Sequence, residues 1–386
     1  MITETSPHTQ LRIEELESIR GLAALLVVFV HIPKWNPVLD IGIINNAYLM
    51  VDLFFVLSGF VIFNAYSNKI DSKTDLLRFQ FLRLGRLYPV HLFYLLLFLA
   101  IEIARYITTV LGMQNLRAMP FSINNIGALI EQIFLVQAIG PTGNALTFNG
   151  PAWSISVEFY TYLIFGLIVL FFRRIRNSVF CVLALVSIVM LLTKTTWGFA
   201  ELLRCLAGFF VGCLTANFVQ RAKTPMRVPN YTSLLLFAAI VIFLQTKTTK
   251  DFDVVIYLLT SALIFSLILT RDGILNKILN YKILTWLGLI SYSVYMCHRL
   301  VLWIISAVLK RLLGRAEIQG ADGRWQISLS TTETLAGVII IVFLVLVVGQ
   351  TTYSAIEKPL REKSRRLVFS ETSAISVPHC EPSRHL

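Results

Sequence analysis

An all-α, polytopic membrane protein is the fold class that this sequence predicts, on three observations. Its 386 residues are 56% hydrophobic and only 15% charged, with a mean hydropathy of +0.71. That is too apolar for the surface of a water-soluble globule of this size. Apolar stretches recur at lengths suited to crossing a hydrocarbon core about 30 Å thick as helices, and no alternating pattern of a membrane barrel is present. Basic residues alternate between successive loops in the manner of a multispan protein.

In chain order, spans are expected near 17–35, 46–65, 88–110, 151–172, 178–193, 199–219, 231–247, 253–270, 284–309 and 334–356. The apolar stretch 124–139 reads as a short re-entrant or interfacial helix. With the N-terminus in the cytoplasm, 22 of the 34 Lys and Arg fall in inside segments and nine outside; Arg105, Arg204 and Arg299 fall within spans. This bias predicts one bundle of about ten transmembrane helices, N-in and C-in. It also accounts for the net charge of +12 without a nucleic-acid partner.

Residues 1–16 are expected as a cytoplasmic segment, 17–362 as the membrane domain, and 363–386 as a polar, disordered cytoplasmic tail. Glu14, Glu15 and Glu17 precede the first apolar run, which has no small-residue cleavage site, so no cleavable signal peptide is expected. No internal repeat of the transporter kind is visible. Cys181, Cys205, Cys213, Cys297 and Cys380 carry no metal-ligand spacing and read as packing residues without disulfides.

Ionisable residues at bilayer depth are costly and therefore functional candidates. His31 lies eleven residues after Arg20, about 16 Å along the helix. Asp52, Glu158 and Arg204 sit about 8–10 Å inside their own spans, and His298 is mid-span. Two histidines, two carboxylates and an arginine thus fall on one slab from five helices, a candidate polar site. His31 is the preferred base, because imidazole titrates near working pH. Asp52 or Glu158 is the carboxylate expected to fix its tautomer. The structural alternative is a set of helix-tying pairs, such as Asp52 with Arg204. On the cytoplasmic side Arg83 and Arg86, at i and i+3, share a helical face, as phosphate-binding forks do; positive-inside anchoring is the plainer reading.

Six blocks, in order, carry a resemblance. They are Arg20-Gly21 through His31 with ten residues between, Val51-Asp52 through Ser58-Gly59-Phe60, and Arg83-Leu-Gly-Arg86-Leu-Tyr-Pro. Pro151-Ala-Trp153-Ser-Ile-Ser-Val-Glu158, Gly288-Leu-Ile-Ser291-Tyr292-Ser-Val-Tyr295-Met-Cys-His298 and Glu357-Lys-Pro-Leu-Arg361 complete the set. From about residue 14 to 362 the sequence resembles the acyltransferase 3 family of membrane O-acyltransferases, which includes bacterial polysaccharide O-acetylases. Two departures stand out. Arg299-Leu300 follows the late histidine where the family often has a proline nearby, and no segment matches the family's frequent hydrolase-like extracytoplasmic domain.

The resemblance implies an O-acyltransferase of the bacterial inner (cytoplasmic) membrane, surrounded by lipid. Its donor would be acetyl-CoA or another acyl-CoA, with no bound cofactor or metal. Its acceptor would be a hydroxyl of a saccharide or lipid-linked glycan, lipopolysaccharide among the options. The CoA phosphates would dock at Arg83 and Arg86, and the arm would reach towards His31. Arg20, Arg204 and His298 would meet the donor's path, and Trp153 and Tyr292 would line it. Direct transfer and an acyl-histidine intermediate stay open, as does the oligomeric state. The rival reading is a multispan transporter or flippase, since polar residues inside a bundle also mark solute paths.

Overall fold

The computed structural model describes residues 13–113, 119–140, 142–222, 228–270, 273–315, 317–319 and 325–375. The chain runs through α1 (Glu14–His31), a short turn α2 (Gly42–Asn45), α3 (Met50–Tyr66) and α4 (Lys73–Val110). It continues with α5 (Ile126–Ile133), α6 (Trp153–Phe171), α7 (Arg176–Leu192) and α8 (Ala200–Arg221). Then come α9 (Thr232–Thr246), α10 (Val255–Leu269), α11 (Ile274–Leu279) and α12 (Lys282–Arg311). A small hairpin of β1 (Glu317–Gln319) and β2 (Trp325–Ile327) precedes α13 (Thr331–Thr352), a π-helical turn over Tyr353–Glu357, and α14 (Lys358–Ile375).

This is the architecture of an all-α membrane protein. Among the described residues, six helical segments are long and apolar enough to cross a bilayer: Ala47–Tyr66, Lys73–Val110, Gly150–Phe171, Ala200–Arg221, Lys282–Arg311 and Thr331–Val368. Helices α7, α9 and α10 are apolar but only 15–17 residues long. At 1.5 Å per residue they reach about 23–26 Å, a mismatch that local thinning of the lipid absorbs. Helix α1 carries its four charges, Glu14 to Arg20, at one end and is apolar from Gly21 to Val30.

Glycine allows close backbone contact at two helix pairs. A Cβ on Gly59 of α3 would stand 1.8 Å from the Phe209 carbonyl oxygen of α8, and one on Gly212 2.1 Å from that of Val56. Bare backbone lets α3 and α8 touch along their length, as small residues do where lipid gives no hydrophobic drive. Gly21 of α1 and Gly288 of α12 meet in the same way.

Three features depart from the sequence reading. The basic block 81–89 belongs to one helix with the following span: α4 begins at a capping box of Ser72 and Asp75 and continues through Pro89. The hairpin, paired antiparallel with Ile318 opposite Gln326, adds a small sheet that the apolar pattern did not signal. The disordered tail expected from 363 does not hold for its first part, because α14 runs on to Ile375. Arg12, Arg117, Lys223, Arg227, Arg271, Arg324, Cys380 and Arg384 lie outside the described residues. Of the other cysteines, Cys205, Cys213 and Cys297 are buried as expected, whereas Cys181 faces outward.

Candidate active site

Helices α1 and α12 run parallel and in register. From the Gly21–Gly288 contact, where a Cβ would come within 2.6 Å of the facing backbone, ten further residues on each helix bring His31 and His298 together. Their ring centroids are 4.8 Å apart. His31 Nδ1 lies 2.8 Å from the Val27 carbonyl oxygen. A carbonyl only accepts, so Nδ1 holds the proton and the Nε2 lone pair is left free. His298 is fully buried, its Nδ1 donating to the Tyr295 carbonyl at 2.6 Å while its Nε2 has no partner. The tautomer of His31 is therefore set by its own helix; neither Asp52 nor Glu158 bonds to it.

Below the imidazoles lies a cavity lined by residues of α1, α3, α4, α6 and α12. Arg20, Arg86, Glu158 and Tyr292 line it, as do Ser58, Tyr162 and Tyr295. Tyr295 also joins it to the histidines, its ring 5.9 Å from that of His298. Glu158 accepts from Ser58 Oγ at 2.6 Å and from the Tyr162 hydroxyl. The Tyr292 hydroxyl donates to the Leu87 carbonyl, tying α12 to α4. Arg20 and Arg86 have no hydrogen bond or ion pair among the described residues. Two guanidiniums with no hydrogen-bond partner thus face a cavity whose one lining carboxylate, Glu158, is held by hydroxyls, while Glu17 and Glu357 lie within their electrostatic reach. Their free forked donors are of the kind that binds an oxyanion.

Arg83 goes elsewhere. It is buried, donates to the Tyr66 hydroxyl at 3.1 Å, and stacks over the rings of Tyr66 and Phe79. The i, i+3 pair thus splits its roles, Arg86 facing the cavity and Arg83 packed among aromatics.

Asp52 and Arg204 form the bidentate pair of the structural alternative. Arg204 Nε and Nη2 donate to Asp52 Oδ1 and Oδ2 at 3.1 and 2.7 Å, and the Tyr257 hydroxyl donates to Oδ1 at 2.9 Å. Trp153 closes the pair from one side, with the guanidinium 4.9 Å from its ring centroid. The single slab expected from five helices is therefore three sets: the two imidazoles, the arginine-lined cavity, and this α3–α8 clamp.

Sequence reasoning missed Tyr162, which binds Glu158 from one helical turn on; the i, i+4 spacing was the available signal. It also gave no role to Glu357. That carboxylate is buried at the end of the π turn, accepts from Ser293 Oγ at 2.7 Å and lies 3.8 Å from Arg361. Such π turns frequently mark functional positions.

Comparison with known proteins fits this geometry. Residues 13–353 match the model of the acyltransferase domain family, and the chain belongs to that family. It is an acyltransferase. It is 36% identical over 160 residues to "Protein 2 in picA locus" of Rhizobium radiobacter, covering 37% of this chain and 75% of that protein. It is 23% identical to YrhL of Bacillus subtilis (strain 168), named as a candidate peptidoglycan O-acetyltransferase, over 91% of this chain and 55% of that one. A third relative, the acyltransferase MdmB of Streptomyces mycarofaciens, is 30% identical over 44% of this chain and 42% of its own. The chain thus spans only about half the length of the last two. No solved structure matches it.

Proposed function

We propose that the protein moves an acyl group, acetyl in the first instance, from acyl-CoA on the cytoplasmic side to a saccharide or glycolipid hydroxyl on the outer side. Ten helices cross the inner membrane, with both chain ends in the cytoplasm. The observation that carries the reading is the cavity itself. It has two unpaired arginines, Arg20 and Arg86, among its walls and reaches Tyr295, beside the imidazole pair.

The CoA diphosphate sits on Arg20 and Arg86, and the thioester arm extends along α1 towards His31, about 16 Å further by helical rise. His31 Nε2 takes the proton of the acceptor hydroxyl as its oxygen attacks the thioester carbonyl. The carbon–sulfur bond then breaks, CoA leaves as thiolate, and the imidazolium returns the proton to sulfur. Burial of the site favours transfer over hydrolysis of the thioester. The peptidoglycan O-acetyltransferase name of the Bacillus relative supports acetyl as the transferred group and a saccharide acceptor.

Acetyl-CoA binding to the detergent-solubilised protein tests the donor site. Arg86→Gln removes charge-assisted hydrogen bonds worth about 1.5–3 kcal/mol, so Kd should rise about tenfold or more. Unchanged affinity in Arg86→Gln would remove the arginine pair from the donor site.

A further inference from the structure

Arg299 stands where the chain departs from the family pattern, directly after His298, and the donor site makes no use of it. It is an exposed arginine in the apolar helix α12, seventeen residues from the helix start, or about 26 Å. Among the described residues it has no hydrogen bond or ion pair. Both histidines lie within its electrostatic reach. A lone cation at this depth is costly without a counter-charge.

A second set of groups points to a ligand at the same level. Asn149 is buried and donates through Nδ2 to the Met296 carbonyl at 3.1 Å. Its Oδ1 has no partner, and neither has His298 Nε2. The residue before it, Phe148, is held at a φ of +51°, a conformation that a bulky side chain adopts only when its surroundings impose it. Here the Phe148 amide donates to Asn124 Oδ1 at 2.7 Å.

We infer that Arg299, Asn149 and the imidazole pair form the acceptor subsite, and that the acceptor is an acidic saccharide whose phosphate or carboxylate seats on Arg299. Asn149 Oδ1 accepts from one of its hydroxyls, and His31 takes the proton of the reacting one. This rests on the acyltransfer reading above and adds the charge class of its substrate.

The test uses membranes of the native host, which contain the acceptor, with labelled acetyl-CoA as probe. The labelled product should bind an anion exchanger after removal of its acetyl-independent lipid. Arg299→Gln should lower transfer about tenfold or more, the loss of one charge-assisted contact, through a raised acceptor KM at unchanged donor KM. Arg299→Lys should recover most of it. Extracted acceptor and wild-type protein in phosphatidylcholine vesicles, which carry no net charge, should transfer as before. A neutral product, or Arg299→Gln working like wild type, overturns the inference while leaving acyl transfer intact. Loss of wild-type transfer in neutral vesicles, restored by anionic lipid, overturns it in favour of a lipid headgroup on Arg299. No transfer by wild-type membranes would overturn both readings.

Discussion

His31 and Asp52 illustrate how two intramembrane ionisable residues, a single loop apart, come to differ in kind. His31 satisfies one nitrogen on its own helix and keeps the other available beside a second imidazole. Asp52 has both oxygens committed to Arg204 and Tyr257. Breaking one side of a buried, hydrogen-bonded pair strands a charge, at a cost of about 3–5 kcal/mol. Asp52→Ala should therefore lower thermal stability in detergent severely, and adding Arg204→Ala should recover part of the loss. Additive losses in the double variant would show that the pair is not coupled. The sequence marked His31 as the preferred base and left Asp52 open between a partner of that base and a tie to Arg204, because depth along a helix is readable from spacing while the facing partner is not. Arg83 and Arg86 make the same point: three residues apart and chemically identical, they separate only when α4 packs and Tyr66 claims one of them.

At the scale of elements, the α1–α12 contact sets the register of the site. Gly21 and Gly288 allow backbone contact, and the equal rise of two helices carries that register up to His31 and His298. A side chain at Gly288 would meet the Glu17 carbonyl at 2.2 Å, so the helices must separate. Gly288→Leu should cost about 1–3 kcal/mol or more and misalign the histidines. Thermal unfolding and transfer rate measured together check this, and a variant with both unchanged would mean that the register is set elsewhere. The sequence made the apolar periodicity of α3, α6, α8 and α12 legible, together with the short helix inside 124–139. It did not reveal the β1–β2 hairpin, whose three-residue strands are too short for an alternation to register. Nor did it reveal that α4 is continuous, because a polar half followed by an apolar half reads as a loop and a span when Pro89 marks the junction.

For the whole molecule, the bundle brings an arginine-lined cavity to one end of α1 and an imidazole pair to the other. In the proposed topology, which rests on the alternation of basic loops, the arginine end of that axis faces inward. Reporter fusions at the 66–72 and 172–175 turns should therefore score as cytoplasmic and those at 193–199 as external; the inverse pattern would reverse the direction of transfer. In the proposed reaction the acceptor's proton goes to the free nitrogen of His31. The most direct measurement is transfer of labelled acetyl from acetyl-CoA to the acceptor by membranes carrying wild type or His31→Ala at equal folded abundance. The account predicts that the variant binds donor normally but loses transfer by a factor of 10² or more. Transfer by the variant at the wild-type rate would contradict it.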